Sequence, residues 1–174
     1  MTGFGKRRFT ANKLEDKFES KNNSWRTPKV LFDTLDKEFH FDIDLACSDD
    51  SQLCKLGFTE KENAMLQSWK GICYLNPPFG LKQFPLKKWV ETSYNESQKK
   101  GTTVVMLIPA RTNTNWWHSY CMKAKEVRFI KGRPKFIGNV HGLPQPLAII
   151  IFEKTNSPTK YTTFDYNGRR AFTR

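Results

Sequence analysis

The stretch that most constrains this chain is a run of apolar residues that ends in two prolines, residues 72–80 (ICYLNPPFG). The apolar part predicts a buried strand, because strands that are covered on both faces lose the alternation of polar and apolar residues. Pro77 and Pro78 have no N–H with which to continue a ladder, so the strand must end at Asn76. Ligands of open α/β sheets bind at the carboxyl ends of strands. The sequence therefore places Asn76 at a candidate site.

The residues of this turn suit a particular chemistry. The side-chain oxygen of Asn76 and the backbone carbonyl of Pro77 both accept hydrogen bonds, and the proline rings fix the backbone around the second acceptor. Two rigid acceptors side by side suit an amino group that carries two hydrogens, and Phe79 offers a flat face for a planar base. Accepting both hydrogens of a nucleobase amino group would stabilise the positive charge that develops when its nitrogen acts as a nucleophile. The alternative is an ordinary exit from a strand into a loop.

The turn has the form Asn/Asp-Pro-Pro-Tyr/Phe/Trp that is usual in amino-group methyltransferases, and the wider chain resembles the bacteriophage DNA N-6-adenine methyltransferase (Dam-like) family. The resemblance covers roughly residues 24–153, and besides the turn it is carried by residues 25–28 (WRTP), 41–46 (FDIDLA), 107–111 (LIPAR) and 129–133 (FIKGR). It implies a Rossmann-like, S-adenosylmethionine-dependent methyltransferase fold, an α/β fold with a mostly parallel sheet and helices on both faces. It also implies methyl transfer from S-adenosylmethionine to the 6-amino group of adenine in double-stranded DNA, after the base has been flipped out of the helix. The residues that match the catalytic motif are Asn76, Pro77, Pro78 and Phe79.

The resemblance also implies where S-adenosylmethionine binds. The candidate cofactor-binding residues are Trp25, Thr27, Pro28, Asp44, Ala46, Glu62 and Asn63. A purely structural role stays open for four of them, since Thr27 and Pro28 also suit the N-cap and first position of a helix, and Glu62 and Asn63 also suit an exposed turn. The chain departs from the usual cofactor motif, because residues 47–50 (CSDD) follow Ala46 where a Gly-x-Gly would be expected.

The order of helical and strand patterns predicts a right-handed α/β sheet of about five to seven strands. Helices are predicted from Thr27, with an apolar stripe of Val30, Leu31, Thr34, Leu35 and Phe39, and at residues 86–100 and 113–124. Further strands are predicted at residues 39–46, 102–108, 127–130 and 146–153. If the strand that ends near Asp44 neighbours the strand that ends at Asn76, these two side chains lie close together.

The charge of the chain favours a polyanionic partner. Its formal net charge is +12, from 29 basic and 17 acidic side chains, and 14% of its residues are aromatic. Basic and aromatic residues together provide the phosphate contacts and stacking surfaces that nucleic acids require. Arg111 follows a predicted strand, and a long loop after another contains Arg133, Lys135 and Phe136. We expect Arg133 and Lys135 at DNA phosphates and Phe136 near the extruded base.

The length of 174 residues predicts a single domain. We expect a basic flexible arm at residues 1–23, the catalytic domain at 24–153, and a basic tail or edge strand at 154–174. No membrane span or signal peptide is predicted. The four cysteines show no close pairing, so free thiols in a reducing cytoplasm and no metal site are expected. The expected state is a monomer or weak dimer in the cytoplasm, or in that of the host cell if a phage encodes the chain.

Three other functions compete with adenine methylation. Cytosine has a similar exocyclic amino group, so cytosine N-4 methylation of DNA is the nearest. Methylation of a glutamine amide in a protein uses a similar turn but does not require such a basic chain. The third is a non-catalytic DNA-binding module, which the missing Gly-x-Gly would favour. The target DNA sequence is not encoded in these patterns.

Overall fold

The computed structural model describes residues 25–79, 85–137 and 144–165. Its strands are β1 (Ile43–Asp44), β2 (Leu56–Gly57), β3 (Gly71–Leu75), β4 (Thr102–Pro109), β5 (Glu126–Lys131), β6 (Leu147–Phe152) and β7 (Lys160–Asp165). Its α-helices are α1 (Lys29–Phe39), α2 (Leu86–Ser97) and α3 (Asn115–Ser119), with short 3-10 turns at Ala64–Leu66 and Cys121–Lys123. None of the helices in this part of the chain is both long enough and apolar enough to span a bilayer.

The strands form one sheet in the order β2-β1-β3-β4-β6-β5-β7. Strand β6 is antiparallel to β4 and β5, whereas all other neighbouring pairs are parallel. Six strands therefore run in one direction, and their carboxyl ends meet at one edge of the sheet, which we call the carboxyl edge. The pairing confirms the predicted mostly parallel sheet, and it shows that β1 and β3 are neighbours.

The two faces of the sheet are covered by different helices. Successive side chains of a strand point to opposite faces, and in β3 Tyr74 packs with Leu31 of α1 while Leu75 packs with Trp89 and Val90 of α2. The predicted arrangement with helices on both faces is thus confirmed. Strand β4 is covered on both sides, which explains why its sequence shows almost no polar alternation.

The start of α1 differs from the sequence prediction. The helix begins at Lys29 with Pro28 at the N-cap, and no side chain caps it. The hydroxyl of Thr27, predicted to cap the helix, instead bonds to other parts of the fold. The predicted apolar stripe is also shifted, because Val30 is 60% exposed whereas Phe32 is buried.

The predicted strand at residues 39–46 is much shorter in the structure. Phe39 is the last residue of α1, and His40 ends the helix in the left-handed conformation with its N–H donating to the Asp36 carbonyl. The carboxylate of Asp36 accepts a second bond from the N–H of Phe41. These bonds fix the chain in a turn, and only Ile43–Asp44 remains to pair as β1.

The helices after the Asn-Pro-Pro-Phe turn are shorter than predicted, and the tail forms a strand. Helix α2 ends at Ser97, and the predicted helix at 113–124 divides into α3 and the Cys121–Lys123 turn. The division is at Tyr120, whose hydroxyl donates to Glu91 and whose ring packs on Tyr94 of α2. Strand β7, in the tail after residue 154, pairs with β5 at the edge of the sheet.

Replacing Gly71 with alanine should destabilise the fold more than the same change at Gly101. Both glycines have a φ of +81°, which costs an alanine about 1–2 kcal/mol. Only at Gly71 would the new Cβ overlap a neighbour, the carboxylate of Asp42, which accepts a hydrogen bond from the N–H of Ile72 at 2.7 Å. Displacing this carboxylate should cost roughly a further 1–2 kcal/mol.

Urea unfolding of the two variants measures the difference directly. Gly101→Ala is the matched control, since nothing lies within 4 Å of its added Cβ. Equal losses of unfolding free energy in the two variants would show that the overlap with Asp42 does not contribute to the effect of Gly71→Ala.

Candidate active site

The Asn-Pro-Pro-Phe turn begins at Asn76, directly after β3 ends at Leu75, and therefore lies at the carboxyl edge. Pro77 is buried, and Asn76, Pro78 and Phe79 are partly buried. The ring of Phe79 packs against both core layers of the sheet. The turn is thus anchored to the core at both of its ends.

The side-chain amide of Asn76 is held by the segment that precedes α1. Its Nδ2 lies 2.6 Å from the backbone carbonyl of Trp25 and 3.0 Å from Oγ1 of Thr27. A backbone carbonyl can only accept a hydrogen bond, so the nitrogen of the amide must face Trp25. Both hydrogens of Nδ2 are therefore in use, and the orientation of the amide is fixed.

The other end of the amide has no partner. Oδ1 of Asn76 is buried and accepts no hydrogen bond from the described residues. Leaving a buried acceptor unpaired costs about 1–3 kcal/mol, and such atoms in native proteins usually have a specific reason. The side-chain oxygen of Asn76 therefore has unused acceptor capacity at the start of the Asn-Pro-Pro-Phe turn.

Tyr74, which is not among the site residues predicted from the sequence, belongs to the same network. Its hydroxyl lies 2.7 Å from Oγ1 of Thr27, and its ring packs edge-on against Phe32 at 5.1 Å. Burial is the main cause that raises the pKa of this phenol far above its ordinary value, so it stays neutral. Strand alternation could have identified it, because Tyr74 lies two positions before Asn76, which directly follows β3, so both side chains are expected on the same side.

Asp44 ends β1, the strand next to β3, and is paired in register with Tyr74. Its carboxylate is buried and accepts hydrogen bonds from the N–H groups of Ala46 at 3.2 Å and Leu53 at 3.4 Å. Burial raises the pKa of Asp44 to about 6, and the two backbone bonds offset part of that rise. A positive group placed beside this carboxylate would favour its charged form.

The loop after β1 is closed by serines where the usual motif has glycines. Oγ of Ser51 accepts a hydrogen bond from the N–H of Ser48 at 3.1 Å, and the two hydroxyls lie 2.7 Å apart. Next to this loop, the buried carboxylate of Asp44 and the small side chain of Ala46 lie close to β3, the strand that Asn76 directly follows. These residues fit S-adenosylmethionine, which carries a positive sulfonium and a positive ammonium group.

Glu62 and Asn63 lie in the turn after β2, the strand on the other side of β1. The carboxylate of Glu62 accepts hydrogen bonds from the N–H and hydroxyl of Thr59, which lower its pKa. Asn63 has a φ of 51°, and its side-chain oxygen accepts from the N–H of Met65 at 3.2 Å. Both side chains therefore stabilise their own turn, and their contact with a cofactor stays a prediction.

The basic candidates also lie at the carboxyl edge, but Phe136 does not lie on the surface. Arg111 follows β4, Arg133 and Lys135 follow β5, and all three are exposed. Phe136 is only 1% exposed and packs edge-on against the ring of Trp25 at 5.8 Å. The structure therefore places Phe136 in the core, where it supports Trp25, and its position near the extruded base stays a prediction.

In the wild type, the buried carboxyl of Asp44 should lower the free energy of unfolding more and more as the pH rises. Asp44→Asn should remove this effect. The ordinary pKa of this carboxyl is 3.8, and in the folded chain it is about 6. Below pH about 4 the carboxyl is protonated in both states, whereas above about 6 the folded chain must bury a charge. At neutral pH, this buried charge lowers the free energy of unfolding of the wild type by about 2–3 kcal/mol.

Urea unfolding between pH about 4 and about 7 should therefore show a growing advantage in unfolding free energy for Asp44→Asn over the wild type. Asp49→Asn is the matched control, because Asp49 lies on the same loop and is exposed. A difference between Asp44→Asn and the wild type that does not change with pH would contradict the effect of burial.

Comparison with known proteins identifies the family. A family model for DNA N-6-adenine-methyltransferase (Dam) matches residues 15–171, nearly the whole chain. No curated protein matches it. The seven-stranded sheet with an antiparallel β6 is typical of the methyltransferase fold. The match selects adenine over cytosine and an enzyme over a non-catalytic module. The chain therefore belongs to the Dam family, and it is an adenine-specific DNA methyltransferase that uses S-adenosylmethionine to methylate the 6-amino group.

Proposed function

We propose that Oδ1 of Asn76 and the backbone carbonyl of Pro77 accept the two hydrogens of the 6-amino group of adenine. The observation that carries this proposal is the buried Oδ1, which accepts no hydrogen bond from the described residues although Nδ2 of the same amide donates two. The amide cannot turn to bury its oxygen against a donor, because Trp25 presents only a carbonyl. The amino group of the substrate completes the site.

The two acceptors contribute most when the amino nitrogen forms its new bond. When bound, S-adenosylmethionine would supply a methyl group made electrophilic by its sulfonium. The amino nitrogen bonds to that methyl carbon as the carbon–sulfur bond breaks, S-adenosylhomocysteine is the leaving group, and the nitrogen then releases a proton to solvent. The lone pair of the adenine amino group is delocalised into the ring, and two acceptors on its hydrogens favour the tetrahedral, positively charged nitrogen of the transition state. Asn76 and Pro77 are held before the substrate arrives, so they require no rearrangement during the reaction.

Phe79 stabilises the base outside the helix. The 6-amino group cannot be reached in a duplex, so the adenine is flipped out at a cost of a few kcal/mol. Stacking on an aromatic ring contributes about 1–3 kcal/mol. Phe79 is partly exposed, and its contacts with both core layers keep the ring in place next to Asn76. Pro78 keeps the backbone between them rigid.

Residues at the ends of β1 and β2 would hold the cofactor next to Asn76. Asp44 receives a positive group of the cofactor, and the small side chain of Ala46 leaves room for it. Trp25, Thr27 and Pro28 line the methionine end, where Thr27 acts through its backbone because its hydroxyl is already bonded. Glu62 or Asn63 meets the adenosyl moiety from the turn after β2.

Double-stranded DNA lies against the carboxyl edge of the sheet. Arg111, Arg133 and Lys135 are exposed there and contact phosphates, in keeping with a net charge of +12. The basic arm at residues 1–23, which lies outside the described residues, adds further phosphate contacts. The protein acts as a monomer or weak dimer in the cytoplasm, that of the host cell if a phage encodes it.

Asn76→Ala should slow methyl transfer about 10²–10³-fold, the scale for losing one preorganised contact to the transition state. The dissociation constant for S-adenosylmethionine should change little, because the amide is directed at the substrate. Transfer of a radiolabelled methyl group to DNA, followed by nucleoside analysis, measures the rate and identifies the methylated base.

Asn95→Ala, at an exposed position of α2, is the control for that measurement and should transfer methyl groups at the wild-type rate. Undiminished transfer by Asn76→Ala would remove Asn76 from the mechanism.

Phe79→Ala should raise the KM for DNA roughly 5- to 150-fold, which corresponds to the stacking contribution of about 1–3 kcal/mol. The dissociation constant for S-adenosylmethionine, measured by calorimetry, should change much less. Phe129→Ala removes a ring that is 38% exposed on β5 and serves as the control. If Phe79→Ala weakened the binding of DNA and cofactor equally, a general loss of structure would account for the result better than stacking.

A further inference from the structure

We propose that the backbone carbonyl of Trp25 and the hydroxyls of Thr27 and Tyr74 form a positioning network that holds the Asn76 amide in its productive orientation and excludes aspartate from position 76. The inference rests on the proposed function, because it takes Oδ1 of Asn76 to be the acceptor for the substrate. It gives Thr27 a role different from the cofactor contact that the family resemblance implies, and it adds Tyr74 to the functional residues.

The orientation of the amide follows from the nature of its partners. An amide that turned by 180° would place its oxygen 2.6 Å from the oxygen of Trp25, two acceptors with no proton between them. In the observed orientation both hydrogens of Nδ2 are bonded, and Oδ1 is left for the substrate. The Trp25 carbonyl thus decides which end of the amide faces the reacting group.

The hydroxyl of Thr27 is fixed in turn by Tyr74. Oγ1 of Thr27 accepts from Asn76 at 3.0 Å and lies 2.7 Å from the Tyr74 hydroxyl. Thr27 is 3% exposed and Tyr74 is 1% exposed, so water does not readily replace either group. The phenol stays neutral because burial raises its pKa, and it acts as a hydrogen-bond partner and not as a base.

The same geometry discriminates between the two residues that the family motif allows. The usual motif accepts asparagine or aspartate before the prolines. In this chain an ionised carboxylate would place a negative oxygen against the Trp25 carbonyl, beside the buried side chains of Thr27 and Tyr74. A protonated carboxyl could instead donate its proton to Trp25 and leave its carbonyl oxygen where Oδ1 stands. Aspartate should therefore work at position 76 only in its acid form.

The first test compares Thr27→Val, Thr27→Ser and Tyr74→Phe. Thr27→Val should lower kcat for methyl transfer about 10- to 100-fold, the scale for misplacing a reacting group, while the KM and dissociation constant for S-adenosylmethionine stay within about 2-fold. Thr27→Ser keeps the hydroxyl and should restore most of kcat. Tyr74→Phe should give a smaller loss of kcat in the same direction.

The outcome separates positioning from cofactor binding. If Thr27→Val and Tyr74→Phe left kcat unchanged while the KM for S-adenosylmethionine rose, Thr27 would be a cofactor contact and the network would be refuted. The dissociation constant for S-adenosylmethionine, measured by calorimetry on each variant, shows at the same time that the variant is folded.

The second test is the pH profile of Asn76→Asp. The ratio of its kcat to that of the wild type should rise at least several-fold as the pH is lowered from about 8 to about 5.5, because the acid form mimics the amide. A ratio that is constant, or that rises with pH, would overturn the proposed exclusion of aspartate.

Asn76→Ala distinguishes this inference from the proposed function. Full activity of Asn76→Ala would refute the catalytic role itself. A large loss in Asn76→Ala, with no loss in Thr27→Val or Tyr74→Phe, would refute only the positioning network.

Discussion

The hydrogen bond from Nδ2 of Asn76 to the backbone carbonyl of Trp25 is the contact on which the site depends. It joins residues 51 positions apart in the sequence, one at the end of a core strand and the other just before α1. Because the acceptor belongs to the backbone, its position is set by the fold and not by a rotamer. The bond fixes which atom of the amide is free, and that atom determines what the site can bind.

The segment that supplies this carbonyl also contacts two loops at the carboxyl edge. The carbonyl of Arg26 accepts a hydrogen bond from the N–H of Ile137, and the ring of Trp25 packs against Phe136. The side chain of Arg26 forms an exposed ion pair with Asp50 in the loop after β1, which contributes little energy by itself. The segment of Trp25, Arg26 and Thr27 therefore connects the Asn-Pro-Pro-Phe turn with the loop after β5 and the loop after β1.

The sequence predicted the parts of the fold that depend on local pattern. The apolar runs identified β3 and β4, and the paired prolines located Asn76 at the end of a strand. It could not predict features that depend on which segments meet in space. Thr27 has the local chemistry of a helix cap, but a tertiary partner takes its hydroxyl. Phe136 lies in a loop rich in glycine and proline, which suggests exposure, yet Trp25 provides an apolar surface that buries it.

The most direct measurement of the central claim is the structure of the enzyme bound to S-adenosylhomocysteine and a DNA duplex that contains its target adenine. The account predicts an adenine outside the helix with its 6-amino nitrogen within about 3 Å of both Oδ1 of Asn76 and the Pro77 carbonyl. It also predicts that Nδ2 is still bonded to Trp25. A 6-amino group held by other residues, or an Asn76 amide whose oxygen faces Trp25 in the complex, would contradict it.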